Sequence, residues 1–532
     1  MLRKRRSTNG AFLSGVSILT VSTLLSKVIG LLYRIPLFRI VGVSGMAYFH
    51  AASHIYVTLY LIASAGLPLA VSILVAEHAG RGDAMGAERI YRSARRIFLT
   101  FGLLGSLFLL FFAPWIARRI GLEGAEQSIR VIAPTLLMSC LSAAIRGYFQ
   151  GFRKMLPTAV SEMIESFGKL IFGLSLARYA VLQNYDKHVT AAFASMGMVI
   201  GVFLSLGYLG ICKLRFSAKH SGAADSLHRP IRSILRIAAP VTLSSFVLSA
   251  ASLVDTVLIP HRLFDAGFSV LTAETMYSSY GNLALPLFNL PAALITPISL
   301  ALVPLLSSAY RAGKRDEERS VISSAVRLSA LLAIPASMGL SIFASPILSL
   351  LYSGEAEAVA FAAPLLSVLA LSVLFSCFMT VTNAILSTYG RSGRALLSMT
   401  VGAAVKIISE YVLVGMPTVH IYGAPISTFL CNLTVTAMNL WFVCRYSAGG
   451  EELPSVLVRS FLASLPPIFS AGGLYLFLVF RSGFAPWKVL PALLVAVILY
   501  IPCSLKSGVL REEDLQSMPL IGRILQRKRT ER

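Results

Sequence analysis

Charged residues are scarce in this chain of 532 residues: they make up 13% of it, whereas hydrophobic residues make up 56%. A water-soluble protein cannot cover so much apolar side-chain surface with so little charge. A soluble class is therefore excluded, and the solvent around the fold is predicted to be lipid. Acidic residues are also few, with 24 Asp and Glu against 47 Lys and Arg. The basic residues lie in short clusters between apolar runs, so they are interpreted as topology signals, and no nucleic acid partner is expected.

Cysteine is rare and dispersed, which excludes a disulfide framework and a zinc site with regular ligand spacing. The six residues are Cys140, Cys212, Cys377, Cys431, Cys444 and Cys503. The sequence also contains no P-loop after a strand-like segment and no HExxH motif. An ATP-driven pump or an enzyme is therefore disfavoured, and no metal or cofactor is predicted.

Long apolar runs are present instead, each of the length that about 30 Å of hydrocarbon requires of a helix. They predict an all-α polytopic membrane protein with about fourteen transmembrane helices. The predicted spans are 11–33, 47–76, 97–117, 129–147, 156–181, 189–212, 233–260, 281–308, 324–351, 358–388, 395–416, 422–445, 457–480 and 486–505. The basic start followed by an apolar run resembles a signal peptide, but Lys27 interrupts the run, so it is interpreted as the first span.

The distribution of Lys and Arg predicts the orientation of these spans. With both termini in the cytoplasm, the inside segments carry roughly three times as many basic residues as the outside loops, as the positive-inside rule requires. The loops Ala79-Gly-Arg-Gly-Asp83 and Ala312-Gly-Lys-Arg-Asp316 follow the second span of each half and favour an internal duplication, with coincidence as the alternative, since membrane helix ends are often rich in Gly, Pro and basic residues. The predicted domains are two pseudo-symmetric six-helix lobes at 1–220 and 221–450, spans 13 and 14 at 451–510, and a basic cytoplasmic tail at 511–532.

Three motifs carry a family resemblance over essentially the whole chain. They are Ser26-Lys-Val-Ile-Gly-Leu-Leu-Tyr-Arg-Ile-Pro36, Ser64-Ala-Gly-Leu-Pro68 and Arg146-Gly-Tyr-Phe-Gln-Gly151. The chain resembles the stage V sporulation protein B and polysaccharide-flippase branch of the multidrug/oligosaccharidyl-lipid/polysaccharide (MOP) exporter superfamily, which includes the MurJ-like lipid flippases. It departs from the MurJ pattern at Tyr60-Leu-Ile-Ala-Ser64, where that pattern has an arginine and an acidic residue.

The resemblance implies a two-lobed MATE/MurJ-like fold and an alternating-access transporter in the cytoplasmic membrane of a bacterium. Its implied substrate is a polyprenyl-diphosphate-linked saccharide such as lipid II, moved to the outer leaflet for peptidoglycan, spore cortex or polysaccharide synthesis. Membrane lipids and cell-wall synthases are the implied partners. Na⁺ or H⁺ coupling and the membrane potential remain alternative energy sources. Two other functions stay open: a cation-coupled multidrug exporter of the MATE type, and a non-transporting scaffold for envelope assembly.

Ionisable side chains inside membrane helices are costly, so they are functional candidates by default. Lys27 and Arg34 lie about two turns apart on nearly the same face of the first span, where two cations can bind a diphosphate. The alternative is that these side chains only reach toward lipid headgroups. We interpret this pair as the candidate headgroup site.

Carboxylates supply the candidate ion-coupling or cavity residues. Glu162, Glu165 and Lys169 share one face of the fifth span, and the spacing predicts a Glu165–Lys169 pair. The eleventh span repeats this spacing with Lys406 and Glu410, and each set has a structural salt bridge as its alternative. Asp255 has no basic residue three or four positions away and is a candidate for ion coupling, with solvation near the helix end as the alternative.

Gly and Pro inside the second and eighth spans predict bent helices. Gly66, Pro68 and Pro297 are the candidate hinges of a rocking transporter, with static kinks as the alternative.

Overall fold

The computed structural model of the chain describes residues 2–64, 66–152, 154–216, 230–446, 453–483 and 485–508. Every regular element within these ranges is helical. An all-α fold suits a lipid solvent, because a helix satisfies its backbone hydrogen bonds within one segment. The helices are grouped into two compact units.

The N-terminal unit comprises Met1–Asn282 and Val414–His420. Its helices are α1 (Leu2–Ser64), α2 (Leu67–Gly80), α3 (Ala84–Ile120), α4 (Ala125–Gly151), α5 (Leu156–Leu182), α6 (Lys187–Arg215), α7 (Pro230–Asp265) and α8 (Val270–Ser278), the last continuing into a π-helical turn (Ser279–Ala284).

The C-terminal unit comprises Leu283–Leu413 and Ile421–Arg532. Its helices are α9 (Leu285–Arg311), α10 (Arg315–Ile342), α11 (Ala344–Leu351), α12 (Ala356–Thr388), α13 (Ser392–Val414), α14 (Gly423–Tyr446), α15 (Leu453–Ser482) and α16 (Val489–Lys506), with 3₁₀ turns at His420–Tyr422 and Pro486–Lys488.

The predicted lobe boundary at 220 and the predicted tail at 511–532 lie outside the described residues. The boundary between the two compact units falls later, after Asn282. The division into two lobes, a helix pair and a tail therefore stays a prediction.

Each predicted span has a helical counterpart among the described residues. Nine helices in the described part of the chain are individually long and apolar enough to cross a membrane. The prediction differed from the structure between the first two spans, where a loop was expected. There α1 continues through, broken only at Gly42, whose φ of 75° is a backbone conformation that glycine adopts without a steric cost.

Helices at the edge of each unit present apolar side chains outward. Phe111 of α3 is 72% exposed and Phe480 of α15 is 94% exposed. By contrast, 67% of the most apolar stretch of α4 is buried, so α4 lies inside the N-terminal unit. Because large aromatic side chains are rarely left in water, the outward faces of α3 and α15 are lipid contacts.

Glycines allow α5 and α6 to pack with their backbones in contact. A Cβ added to Gly197 would lie 2.2 Å from the Cα of Gly173, and one added to Gly201 would lie 2.6 Å from the Glu165 carbonyl oxygen. Small residues at such contacts are typical of membrane helices, whose association depends on close packing rather than on the hydrophobic effect. This contact fixes the helix that carries Glu162, Glu165 and Lys169.

We expect Gly197→Ala to destabilise the N-terminal unit by about 1–3 kcal/mol, because the added methyl group forces the α5 and α6 backbones apart. Gly207→Ala on the same helix is the matched control, since its Cβ would meet nothing within 4 Å. Thermal unfolding of the purified variants in detergent measures the difference. Equal melting temperatures for the two variants would show that α5 and α6 are not in close backbone contact.

Candidate functional site

The first half of α1 is joined to α5 by side-chain hydrogen bonds. The Ser22 hydroxyl donates to the Ala159 carbonyl at 2.7 Å, and the Thr23 hydroxyl donates to Oε2 of Glu162 at 3.0 Å. Ser22 is buried, whereas Lys27 on the same helix is exposed. The α1–α5 pair thus holds Glu162 in a defined position beside the charged part of α1.

Arg146 at the end of α4 forms the main ion pair of this region. Its Nη2 lies 3.0 Å from Oε2 of Glu165 and 3.2 Å from the Ser205 hydroxyl, and its Nε donates to the Ser161 hydroxyl at 3.0 Å. The predicted Glu165–Lys169 pair is therefore wrong. Helix packing brings a cation from α4 against Glu165, and spacing along α5 alone cannot reveal that neighbour.

Lys169 is a half-buried cation of α5. No carboxylate within 4.0 Å pairs with it in the described ranges, although the charges of Glu165, Arg34 and Lys27 all act on it. The region therefore holds four cations (Lys27, Arg34, Arg146 and Lys169) against two carboxylates (Glu162 and Glu165). This cation cluster, as we call these six side chains, has an excess of positive charge.

Arg34 anchors α1 to the π-helical turn. Its Nη1 donates to the Gly281 carbonyl at 3.2 Å, and the Asn282 amide donates to the Met46 carbonyl at 3.0 Å. The Tyr48 hydroxyl donates to Oε1 of Glu274 at 2.8 Å. The backbone contact at Gly281 holds the guanidinium within the N-terminal unit, so Arg34 does more than extend toward headgroups.

Two histidines of α1 were missed by the sequence analysis. His50 is buried, and its ring stacks on His54 at a centroid distance of 5.6 Å. A Cβ on Gly281 would lie 2.3 Å from Nε2 of His50, so the π-helical turn packs directly against the ring. The spacing of four residues inside an apolar span was the signal that could have identified them, since it places both rings on one helical face.

Asp255 lies on α7, half-buried, next to Thr256. The Thr256 hydroxyl is 2.7 Å from Nδ1 of His54. Asp255 is therefore the chain neighbour of a residue that contacts the histidine pair. This geometry brings a second candidate close to α1. Its ion-coupling role stays a prediction.

The candidates of the eleventh span lie on α13 in the C-terminal unit. Glu410 is 1% exposed and Lys406 is 8% exposed, and the Ser427 hydroxyl lies 3.3 Å from Oε2 of Glu410. Both side chains are thus inside the unit rather than at its lipid face. An ion-coupling role for Lys406 and Glu410 stays a prediction.

The predicted hinge in the second span coincides with a helix break. α1 ends at Ser64, Gly66 precedes α2, and Pro68 lies in the first turn of α2. A Cβ on Gly66 would lie 2.3 Å from the Ala238 carbonyl oxygen of α7, so the break is packed closely. Pro297 lies within α9, which is helical on both sides of it, and its side chain is outside the described part. A gating role for these residues stays a prediction.

The motif at 146–151 forms a packed elbow. The Tyr148 ring contacts Phe152, and the Phe149 ring contacts Phe216. Nζ of Lys213 lies 4.0 Å from the centroid of the Tyr148 ring. The same Nζ forms an ion pair with Glu88 at 2.6 Å. Cation–π contacts of this kind hold a charge next to aromatic rings at little desolvation cost. The elbow thereby fixes the end of α4 and positions Arg146.

Asp83 caps α3 in the loop 79–83. Its Oδ1 accepts the Gly86 N–H at 2.7 Å, and its Oδ2 lies 2.9 Å from Nδ1 of His78. The Gly86 hydrogen bond, aided by His78, lowers the pKa of the Asp83 carboxyl below its usual range, although burial opposes this. The loop identified from the duplication is therefore a structural cap.

We expect Asp83→Ala to destabilise the start of α3 by about 1 kcal/mol at neutral pH. A lowered pKa means that the stabilisation is fully present above the ordinary Asp pKa of about 3.9 and is lost as the pH falls through the lowered value. Hydrogen exchange of the amides after Asp83, compared at pH 7 and pH 5, measures how much stability the start of α3 loses in Asp83→Ala. Melting curves recorded below pH 4 show whether the stability difference between the wild-type protein and the variant disappears. Glu77→Ala is the control, since its pair with Arg81 is exposed. A loss that is independent of pH would rule out the charge-based cap.

The described residues contain no group of three or more His, Cys, Asp or Glu side chains that could hold a metal ion.

Solved structures share this fold. The chain matches "Lipid II flippase MurJ, inward closed conformation" with a TM-score of 0.68 at 15% identity, covering 91% of this chain and 97% of that one. It also matches an inward-facing multidrug resistance MATE family transporter of the MOP superfamily with a TM-score of 0.61 at 17% identity, covering 80% of this chain and 98% of that one. These likenesses define the class of the fold: an all-helical, multi-pass membrane protein with the fold that these solved transporters share.

The family follows from the sequence comparison. The chain belongs to the polysaccharide biosynthesis protein family, whose family model matches residues 12–310, and the MatE family model matches residues 279–412. It is 24% identical to stage V sporulation protein B of Bacillus subtilis (strain 168) over 97% of this chain and 99% of that protein. It is also 24% identical to lipid II flippase MurJ of the same organism, over 94% of this chain and 96% of that protein.

Proposed function

We propose that this protein moves polyprenyl-diphosphate-linked saccharides, with lipid II or a related molecule as substrate, from the inner to the outer leaflet by alternating access. The observation that carries the proposal is the cation cluster of the N-terminal unit. Its four cations outnumber its two carboxylates, and Lys169 has no ion-pair partner among the described residues. An anionic diphosphate is the ligand that supplies the missing charge.

The two types of cation suit this ligand. The guanidinium of Arg34 presents a planar fork of donors that matches phosphate oxygens, and the ammonium groups of Lys27 and Lys169 act as compact point charges. In a membrane interior little water is present to screen charges, so each such contact is stronger than at a protein surface. The similarity to lipid II flippase MurJ over nearly the full length of both chains supports the same substrate class.

The proposal includes a location and an energy source. We place the protein in a bacterial cytoplasmic membrane with both termini in the cytoplasm, in contact with lipid substrate and with cell-wall synthases. An inside-negative potential assists outward movement of an anionic headgroup by roughly 2.3 kcal/mol per charge per 100 mV. Translocation in liposomes should therefore accelerate when a potential of that sign is imposed.

The test is reconstitution of the purified protein into liposomes with fluorescent lipid II, followed by a membrane-impermeant reagent that destroys the fluorescence of exposed headgroups. The wild-type protein should move lipid II from the inner leaflet to the outer leaflet, where the reagent destroys its fluorescence. Lys27→Ala and Arg34→Ala should each lower the rate of this fluorescence loss. Lys314→Ala is the control, because Lys314 is exposed and forms only a local pair with Glu317. Equal rates in all four proteins and in empty liposomes would refute the proposal.

A MATE-type drug exporter is the second candidate, since the MatE family model matches residues 279–412. It predicts efflux of a cationic dye that depends on Asp255 and on the carboxylates of α5. Dye efflux without movement of lipid II would favour it, whereas an excess of cations around α5 argues for an anionic substrate. The scaffold alternative predicts neither activity.

A further inference from the structure

A cavity lies within the C-terminal unit, whereas the cation cluster belongs to the N-terminal unit. The cavity has a volume of about 620 Å³ and lies between α11, the start of α12 and the turn that contains Pro486. This volume is in the range of small-molecule sites, about 300–1,000 Å³. The cavity is therefore large enough for a sugar unit or a lipid fragment.

Two serine hydroxyls are available to a ligand in this cavity. Ser345 and Ser349 are four residues apart on α11 and both line it. Neither hydroxyl makes a hydrogen bond to any part of the chain that the structure describes, whereas Ser341 and Ser367 bond to each other's carbonyl oxygens at 2.9 Å. Ser341 and Ser367 thus join α10 to α12, whereas the hydroxyls of Ser345 and Ser349 remain available to a ligand.

A backbone acceptor adds to these hydroxyls. Pro364 has no N–H, so the Ala360 carbonyl four residues earlier lacks its usual partner in α12. Both residues line the cavity. Gly354, with φ of 106°, lies at its rim, and a Cβ there would meet nothing within 4 Å. The cavity therefore offers donors and acceptors that carry no net charge.

The other lining residues are the hydroxyl-bearing Tyr352, Ser353 and Ser367 and a set of apolar side chains, and none of the thirteen lining residues is charged. An uncharged wall gives a phosphate or an ammonium group no partner, so either ion would lose its hydration without compensation. A hydrocarbon chain would instead cover the hydroxyls and the free carbonyl and leave them unsatisfied. A ligand with hydroxyl groups on one side and C–H groups on the other satisfies both parts of the wall.

We propose that this cavity binds a neutral saccharide unit. The proposal rests on the proposed function and deepens it, because the α11–α12 connection and the 3₁₀ turn at Pro486–Lys488 both fall on the side predicted to face outward. A saccharide carried across the membrane would reach this side, and the cavity would hold its sugar part after translocation. The hydroxyls of Ser345 and Ser349 bond the sugar hydroxyls, and Val359, Ala363 and Pro486 contact its C–H face.

Trp487, 60% exposed and adjacent to Pro486, serves as the reporter. The full-length protein is prepared with Trp115→Phe and Trp441→Phe, so that Trp487 is its remaining tryptophan. It is titrated in detergent with the disaccharide of N-acetylglucosamine and with lactose. We expect a saturable change in Trp487 emission with at least one of these probes.

Removing the two hydroxyls should weaken binding by about tenfold or more, as expected for the loss of two hydrogen bonds. Ser345→Ala/Ser349→Ala tests this with minimal change of volume, and Ser349→Leu tests filling of the cavity. Ile347→Leu is the matched control on the same helix, because Ile347 packs against a buried apolar cluster and does not line the cavity. It should bind as the parent protein does.

The outcomes separate this inference from the proposed function. No saturable response to either sugar, in a protein that moves lipid II in liposomes, overturns the saccharide site and leaves the transport function intact. A response that the serine variants do not alter, or that octanol competes away, also overturns it. Serine-dependent sugar binding supports the site, and if the same protein fails to move lipid II, the transport function alone is refuted.

Discussion

Replacing Lys169 by methionine is expected to slow lipid II translocation by about 10- to 100-fold. The basis is the loss of one charge-assisted contact with a phosphate oxygen, worth about 1.5–3 kcal/mol. Neither Lys169 nor Lys27 has an ion pair within 4.0 Å in the described ranges, but Lys169 is half-buried whereas Lys27 is exposed, so a ligand gains most from Lys169. The liposome assay with fluorescent lipid II measures the rate.

A stability measurement distinguishes a binding role from a structural one. Removing a charge that has no ion pair should leave the melting temperature unchanged or raise it, because the desolvation cost of the ammonium disappears. Lys169→Arg retains the charge and should retain most of the rate. Lys314→Met is the exposed control. A destabilised Lys169→Met protein with normal translocation would assign Lys169 to the fold and not to the substrate.

Arg146→Met is expected to lower the free energy of unfolding by about 3–5 kcal/mol, because it leaves the Glu165 carboxylate inside the protein without its cation. The Arg146 and Glu165 side chains are 14% and 25% exposed. The variant also removes the donors to the Ser161 and Ser205 hydroxyls. Thermal and denaturant unfolding of the purified protein in detergent measure the loss.

A double-mutant cycle identifies the pair as the cause. Arg146→Met/Glu165→Met removes both charges and should recover much of the lost stability, since an apolar pair replaces a buried ion pair at little cost. The matched control is Arg130→Met. Arg130 is 50% exposed, its pair with Glu126 at 2.9 Å lies on the surface, and such pairs contribute about 0–1 kcal/mol. Additive effects in the cycle would contradict the pairing of Arg146 with Glu165.

Several features of the fold followed from the sequence. The lengths of the apolar runs predicted the helices, and Gly66 and Pro68, which were predicted to bend the second span, lie where α1 ends and α2 begins. The loop expected between the first two spans is the exception. Local composition there did not reveal that α1 continues to Ser64 with a break at Gly42, because helical continuity across a segment that contains Pro36, two arginines and Gly42 depends on what the segment packs against.

The site was only partly predictable. Lys27, Arg34, Glu162, Glu165 and Lys169 were identified because a charge in an apolar run is conspicuous. The polar residues of α1 that contact α8 were missed. His50 and Tyr48 look like ordinary members of an apolar helix, and their contacts with Tyr277 and Glu274 of α8 join residues more than 200 positions apart.

By itself, the sequence determined the membrane class, the helical fold and the presence of charges inside it, because each of these depends on local composition and on the thickness of the bilayer. Only the tertiary structure decided which charges pair. Arg146 reaches Glu165 from another helix, and the glycines at 173 and 197 bring α5 and α6 into backbone contact. Spacing rules describe neighbours along one helix, whereas these partners are chosen by the way separate helices pack together.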